Sequence, residues 1–167
     1  MHEDIREVLR KAYQIEVDGY TFYSMAADRA TKPAVGELFA KLARDEIEHK
    51  GYLTSVMGSL DSRGLAAFAL DRREPDLKAF TSTIFSDRFR EQARGADFSL
   101  GVLSIGMTLE SNAIAYFSGA AGEAGEAEVR DFYRFLADWE REHLEALRGL
   151  YDGVRQEFWA ESGFAPF

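Results

Sequence analysis

Apolar residues recur along this chain at intervals of three and four, the period of a helix with one buried face. Ile5, Leu9, Ala12, Tyr20, Tyr23 and Ala27 share such a face and predict a helix over about residues 3–29. Thr31 can cap a second helix, with Pro33 in its first turn, running to about Met57. From Gly58 to Ala96 the period weakens and turn formers gather, leaving room for a short helix near Ser86–Ala93. A third helix is expected over about Asp97–Ala121, where the run Gly-Glu-Ala-Gly-Glu-Ala breaks it. A fourth is expected from about Ala127 to Tyr151, with an extension toward Trp159. No segment has the alternation of a defensible strand.

The order is helix, short turn, helix, long connection, helix, short turn, helix. Short turns make each helix pair antiparallel. A helix of about 25 residues is about 38 Å long at 1.5 Å per residue. A connection of about 40 residues can return over that distance, allowing the second and third helices to run parallel. The expected fold is all-α: a four-helix bundle with one long crossover between helices two and three and a C-terminal helical extension.

The two halves repeat. Glu-Val-Asp-Gly-Tyr-Thr-Phe-Tyr from Glu16 aligns with Glu-Ser-Asn-Ala-Ile-Ala-Tyr-Phe from Glu110, 94 positions later. Leu-Phe-Ala-Lys-Leu-Ala-Arg-Asp-Glu-Ile-Glu-His from Leu38 aligns with Phe-Tyr-Arg-Phe-Leu-Ala-Asp-Trp-Glu-Arg-Glu-His from Phe132 at the same offset of 94. Matched in this way are Glu16 with Glu110, Glu46 with Glu140, and His49 with His143. At about 100° per residue, Leu38, Leu42, Glu46, His49 and Leu53 form one stripe, as do Phe132, Leu136, Glu140, His143 and Leu147. Glu48 and Glu142 fall on the far side and read as solvated. Each helix therefore carries a carboxylate on its apolar face near mid-length.

A buried, unpartnered carboxylate costs several kcal/mol, and four together repel one another. Protonation relieves this, but two divalent cations neutralise four carboxylates more economically. Oxygen and nitrogen donors without thiolate suit iron or manganese and also admit zinc.

Composition narrows the setting. At 167 residues the chain is expected to form a single domain over 1–167. It has no cysteine, so disulfides, thiolate metal sites and cysteine nucleophiles are excluded. The formal net charge of −9 and the lack of a basic aromatic patch argue against nucleic acid. No run approaches the roughly 20 apolar residues of a membrane span, and Met1–Gln14 lacks the apolar core of a signal peptide. A cytoplasmic location is expected.

The motifs Tyr-Gln-Ile-Glu-Val-Asp-Gly-Tyr-Thr-Phe-Tyr, Ala-Arg-Asp-Glu-Ile-Glu-His, Thr-Leu-Glu-Ser-Asn-Ala-Ile-Ala-Tyr-Phe and Ala-Asp-Trp-Glu-Arg-Glu-His make the chain resemble the rubrerythrin-like branch of the ferritin-like superfamily. The resemblance covers about residues 5–55 and 97–150. It implies a pair of metal ions, iron foremost, bridged by Glu46 and Glu140. It also implies that His49 and His143 each bind one ion and that Glu16 and Glu110 are terminal ligands. Which histidine shares an ion with which terminal glutamate is not set by the sequence. Tyr23, seven residues after Glu16, is a candidate for contacting a ligand from outside; its repeat partner is Phe117, so that role is not symmetric.

The implied activity is a di-iron oxidoreductase that reduces O2 or peroxide, in oxidative-stress defence or as a ferroxidase. The alternative is an iron-binding or storage protein that turns over no other substrate, and the plain structural reading is a metal-free bundle whose polar core sets register. Peroxidase-type rubrerythrins place an extra carboxylate three residues after the third-helix glutamate. Here that position is Ala113, matched by Gly19, which puts the associated ligand exchange in doubt and leaves space for oxygen, peroxide or water. Without a cysteine-ligated domain, electrons must come from a separate donor protein. Tyr20 and Tyr23 read chiefly as core packing and His2 as a surface residue. The tail residues Phe158, Trp159, Phe164 and Phe167 suit either a cover for the bundle end or, by preference, a homodimer contact.

Overall fold

The computed structural model describes residues 5–31, 33–69 and 97–161. Helix α1 spans Ile5–Arg29, α2 Pro33–Arg63, α3 Asp97–Glu123 and α4 Ala127–Glu161; among the described residues there is no strand. The helix expected near Ser86–Ala93, together with His2, Phe164 and Phe167, lies outside the described residues.

The helix ends follow local chemistry. After α1 the Ala30 N–H bonds to the Ala27 carbonyl, and α2 begins on Pro33, whose fixed φ and missing donor suit a first turn. Between α3 and α4 the Ala124 N–H bonds to the Ala120 carbonyl, and Arg130 Nη2 donates to the Ala124 carbonyl at 3.1 Å. One guanidinium thus serves a carbonyl left over at the end of α3.

Helix α2 does not stop at Met57. It continues through Gly58 to Arg63 and ends at Gly64, whose φ of +54° is a left-handed stop. A mid-helix glycine costs about 1 kcal/mol, and the packing of Met57 and Leu60 on the core offsets it. A 3₁₀ segment, Gly64–Ala69, then tucks Ala67 against α2 and α4. Helix α4 is continuous past Tyr151, because Val154 remains buried in the core.

Two apolar clusters reveal the topology. One joins Tyr23 and Ala26 of α1, Leu38, Phe39 and Leu42 of α2, Leu103 of α3, and Leu147, Leu150 and Val154 of α4. The other joins Val8 and Leu9, Leu53 and Val56, Phe117 and Ala121, and Phe132 and Leu136. Helices α2 and α3 therefore run from the first cluster to the second, parallel to each other, while α1 and α4 run the opposite way. The chain between Ala69 and Asp97 joins opposite ends of the bundle, as the expected crossover requires. In every helix, the residues between the two clusters include the polar positions of the repeat.

Phe117 is fully buried in the second cluster, well away from those polar residues in sequence. Phe117→Ala should lower unfolding free energy by about 3–5 kcal/mol in denaturant titration. A loss below about 1 kcal/mol would mean that this cluster does not hold the bundle together.

Candidate metal centre

Glu46-x-x-His49 and Glu140-x-x-His143 each place a carboxylate and an imidazole one turn apart, on the inward face of α2 and of α4. Glu16 on α1 and Glu110 on α3 complete the set. All six side chains converge between the apolar clusters, and none of the six residues is more than 8% exposed.

His49 Nδ1 lies 3.0 Å from Glu16 Oε2 and 3.5 Å from Glu46 Oε2. His143 Nδ1 lies 3.4 Å from Glu46 Oε1, 3.6 Å from Glu110 Oε1 and 3.9 Å from Glu140 Oε2. The two imidazoles face each other with ring centres 5.3 Å apart. Donor atoms fall into two sets, each within 4.8 Å: Glu46, Glu110, Glu140 and His143 form one, and Glu16, His49 and Glu140 the other. Glu140 belongs to both, and Glu46 presents one oxygen to each imidazole. By distance, Glu16 lies with His49 across the first hairpin and Glu110 with His143 across the second.

Among the described residues only the two histidines form ion pairs with these four carboxylates. Burial raises the Glu16 carboxyl well above its ordinary range, and the adjacent Glu46 raises it further. Burial likewise raises Glu140, with Glu16, Glu110 and Glu46 adding repulsion. Burial works against the charged form of Glu46, but the adjacent Glu16 carboxyl and the two imidazoles outweigh it and hold that carboxyl below its usual range. Burial disfavours a charged His143, yet Glu110 and Glu46 raise its pKa well above normal. Protons thus supply the positive charge that four carboxylates demand.

Within this site, and among the described residues, Glu16 Oε1, Glu140 Oε1 and His143 Nδ1 are buried without a hydrogen-bond partner. Leaving such atoms unmatched costs about 1–3 kcal/mol each, more for charged groups. All are acceptors when deprotonated, and they belong to the two donor sets. A pair of divalent cations fits this arrangement in charge, donor type and place.

Tyr23 Oη donates a hydrogen bond to Glu110 Oε1, and burial raises its pKa, so it stays a protonated donor. It contacts the glutamate of the other half, not Glu16 on its own helix. Phe117, its repeat partner, has no hydroxyl to do likewise. Tyr20, assigned to the apolar face from its spacing, sits at the rim: it is 36% exposed, with Lys50 Nζ 4.5 Å from its ring centre. Glu48 is exposed as expected, whereas Glu142 is half-buried and its carboxyl is pushed up to about 7 by that burial.

The space at Gly19 is not open for a small oxidant. A Cβ there would lie 2.8 Å from Glu46 Oε1 and 3.0 Å from its Cδ, so the carboxylate itself fills the space. Ala113 is buried in the second cluster. The sequence signal for Gly19 was a glycine inside a strong helix, one turn from Glu16.

The family model named Rubrerythrin matches residues 7–151, so the chain belongs to the rubrerythrin family. No curated protein and no solved structure matched the chain. Members of this family typically bind a di-iron centre, and the two Glu/His sets here are groups that could hold metal. The family match agrees with an all-α, ferritin-like bundle and a general oxidoreductase role. Among the described residues no helix is long and apolar enough to cross a membrane.

Alanine is favoured over glycine within a helix by about 1 kcal/mol, so Gly19→Ala should leave the metal-free Tm unchanged or raised. The displaced Glu46 should nevertheless weaken divalent-metal affinity by about tenfold or more; unaltered affinity would show that Glu46 moves freely.

Raised folded-state pKa values at Glu16, Glu140 and His143 mean that the folded metal-free protein holds extra protons. Their contribution makes the metal-free protein less stable as pH rises above about 5, whereas the lowered Glu46 matters only in more acid solution. Metal binds the deprotonated groups. The gain in Tm on adding a divalent ion should therefore widen between about pH 5.5 and 8; a constant or shrinking gain would contradict this picture.

Proposed function

We propose that Glu16, Glu46, His49, Glu110, Glu140 and His143 hold two iron ions, and that the protein is a di-iron oxidoreductase acting on O2 or peroxide. The observation that carries this reading is the pair of buried donor sets sharing Glu140, three of whose atoms have no hydrogen-bond partner among the described residues. Iron held there would supply the electrons that reduce the oxidant.

The protein's part is to make that change of charge tolerable. Four carboxylates match two ferrous ions and favour the ferric state further, because anionic oxygen donors stabilise higher charge. Glu46 and Glu140 would be shared between the two ions, and Glu16 and Glu110 would each serve one. His49 and His143 would each offer Nδ1, which faces the carboxylates. Tyr23 fixes the orientation of Glu110 through its hydroxyl. Apolar clusters above and below keep bulk water away. The 167 residues contain no cysteine, so the returning electrons would enter from a donor outside them.

Glu46→Ala combined with Glu140→Ala should remove about two equivalents of iron, measured by elemental analysis, and abolish peroxide reduction with an external electron donor. A helical circular dichroism spectrum would confirm that the variant folds. Repeated turnover by the parent protein supports the enzyme; one oxidation per iron followed by retention indicates iron binding or storage instead. Iron content unchanged in the double variant would remove these residues from the site.

A further inference from the structure

The outer surroundings of the two imidazoles break the symmetry of the repeat. Asp45 and Trp139 are equivalent positions, 94 residues apart, each immediately before a central glutamate. Each reaches across to the histidine of the opposite half. Asp45 Oδ2 lies 3.8 Å from His143 Nε2 and is held on its other side by Lys41 Nζ at 2.8 Å. Trp139 instead lays its indole flat on His49, with ring centres 4.0 Å apart and planes within 7° of parallel. Among the described residues the ion pairs of His49 run through Nδ1 alone, toward Glu16 and Glu46.

At 3.8 Å the Asp45 carboxylate is too far for a hydrogen bond to the outer nitrogen, but its charge favours a proton there, which leaves the inward nitrogen as the donor and makes it more basic. An indole face excludes water and packs the ring but offers no acceptor. A further difference falls on the same side. Tyr23 orients Glu110, while Phe117, buried in the second cluster, has no hydroxyl to offer Glu16.

From these differences we infer that the two metal positions are unequal: the position at Glu110 and His143 fills first and holds its ion more tightly, and that at Glu16 and His49 is the exchangeable one. Asp45 is the positioning residue that sets the order. The inference rests on reading the six residues as a two-ion site.

Zinc(II) is a suitable probe because it needs no exclusion of air and no electron transfer accompanies its binding. Calorimetry on metal-free protein counts the ions, and long-range 1H–15N correlation spectra follow each histidine, assigned with His49→Gln and His143→Gln. The expected result is two binding steps, with His143 shifting over the first equivalent and His49 over the second. Trp139 emission, isolated in a Trp159→Phe background, should change with His49. Asp45→Asn, a substitution at a partly exposed site, should weaken the first step by about 10- to 100-fold and leave the second nearly unchanged. Simultaneous shifts of both imidazoles, His49 shifting first, or an Asp45→Asn variant with unaltered first-step affinity would each overturn the inference while leaving the two-ion site standing. Failure of zinc to bind at all would remove the two-ion reading and this inference with it.

Discussion

Mutual repulsion among four buried carboxylates is the constraint around which this bundle is arranged. Each helix contributes one near its middle, and the two histidines are the residues that pair with them among those described. Hydrophobic packing cannot relieve this repulsion, since the low dielectric of the clusters strengthens it. The clusters do fix where the charges meet. Tyr23, Phe39, Leu42 and Leu147 close one side and Leu9, Leu53, Phe132 and Leu136 the other, so the polar layer cannot slide toward solvent without breaking both. Stability resides in the clusters, and they hold in place a layer that, without cations, must be filled with protons.

That division explains what the sequence made legible. The stripe from Leu38 to Leu53 marks Glu46 and His49 as inward because helical periodicity is a local property of the chain. The constant offset between halves then marks their counterparts Glu140 and His143. Contacts between helices are a different matter. The pairing of Glu16 with His49, the donation from Tyr23 to Glu110, and the approach of Asp45 and Trp139 to the opposite imidazoles depend on how helices face one another, which a one-dimensional pattern does not encode. Tyr20 shows the limit within a helix, since one more turn along the apolar face carries it to the rim beside Lys50.

The glycines taught a related lesson. Gly58 looks like a helix end by propensity, yet Met57 and Leu60 find partners and the helix continues until Gly64 takes a left-handed φ. Gly19 looks like a site for a small molecule, yet it clears the path of the Glu46 side chain. In both, burial by a neighbouring helix decides a matter that local preference leaves open. The repeat itself hides a similar asymmetry: aligned halves suggest two equal metal positions, whereas Asp45 against Trp139 and Tyr23 against Phe117 make their surroundings unlike.

The account comes down to whether six convergent side chains surround two ions. Anomalous diffraction collected on either side of the iron absorption edge, from crystals of protein purified without chelators, addresses this directly. The expected map has two edge-dependent peaks, one between Glu110 and His143 and one between Glu16 and His49, with Glu46 and Glu140 reaching both. A map without an iron peak among these residues, or with iron bound only elsewhere on the chain, would contradict the account.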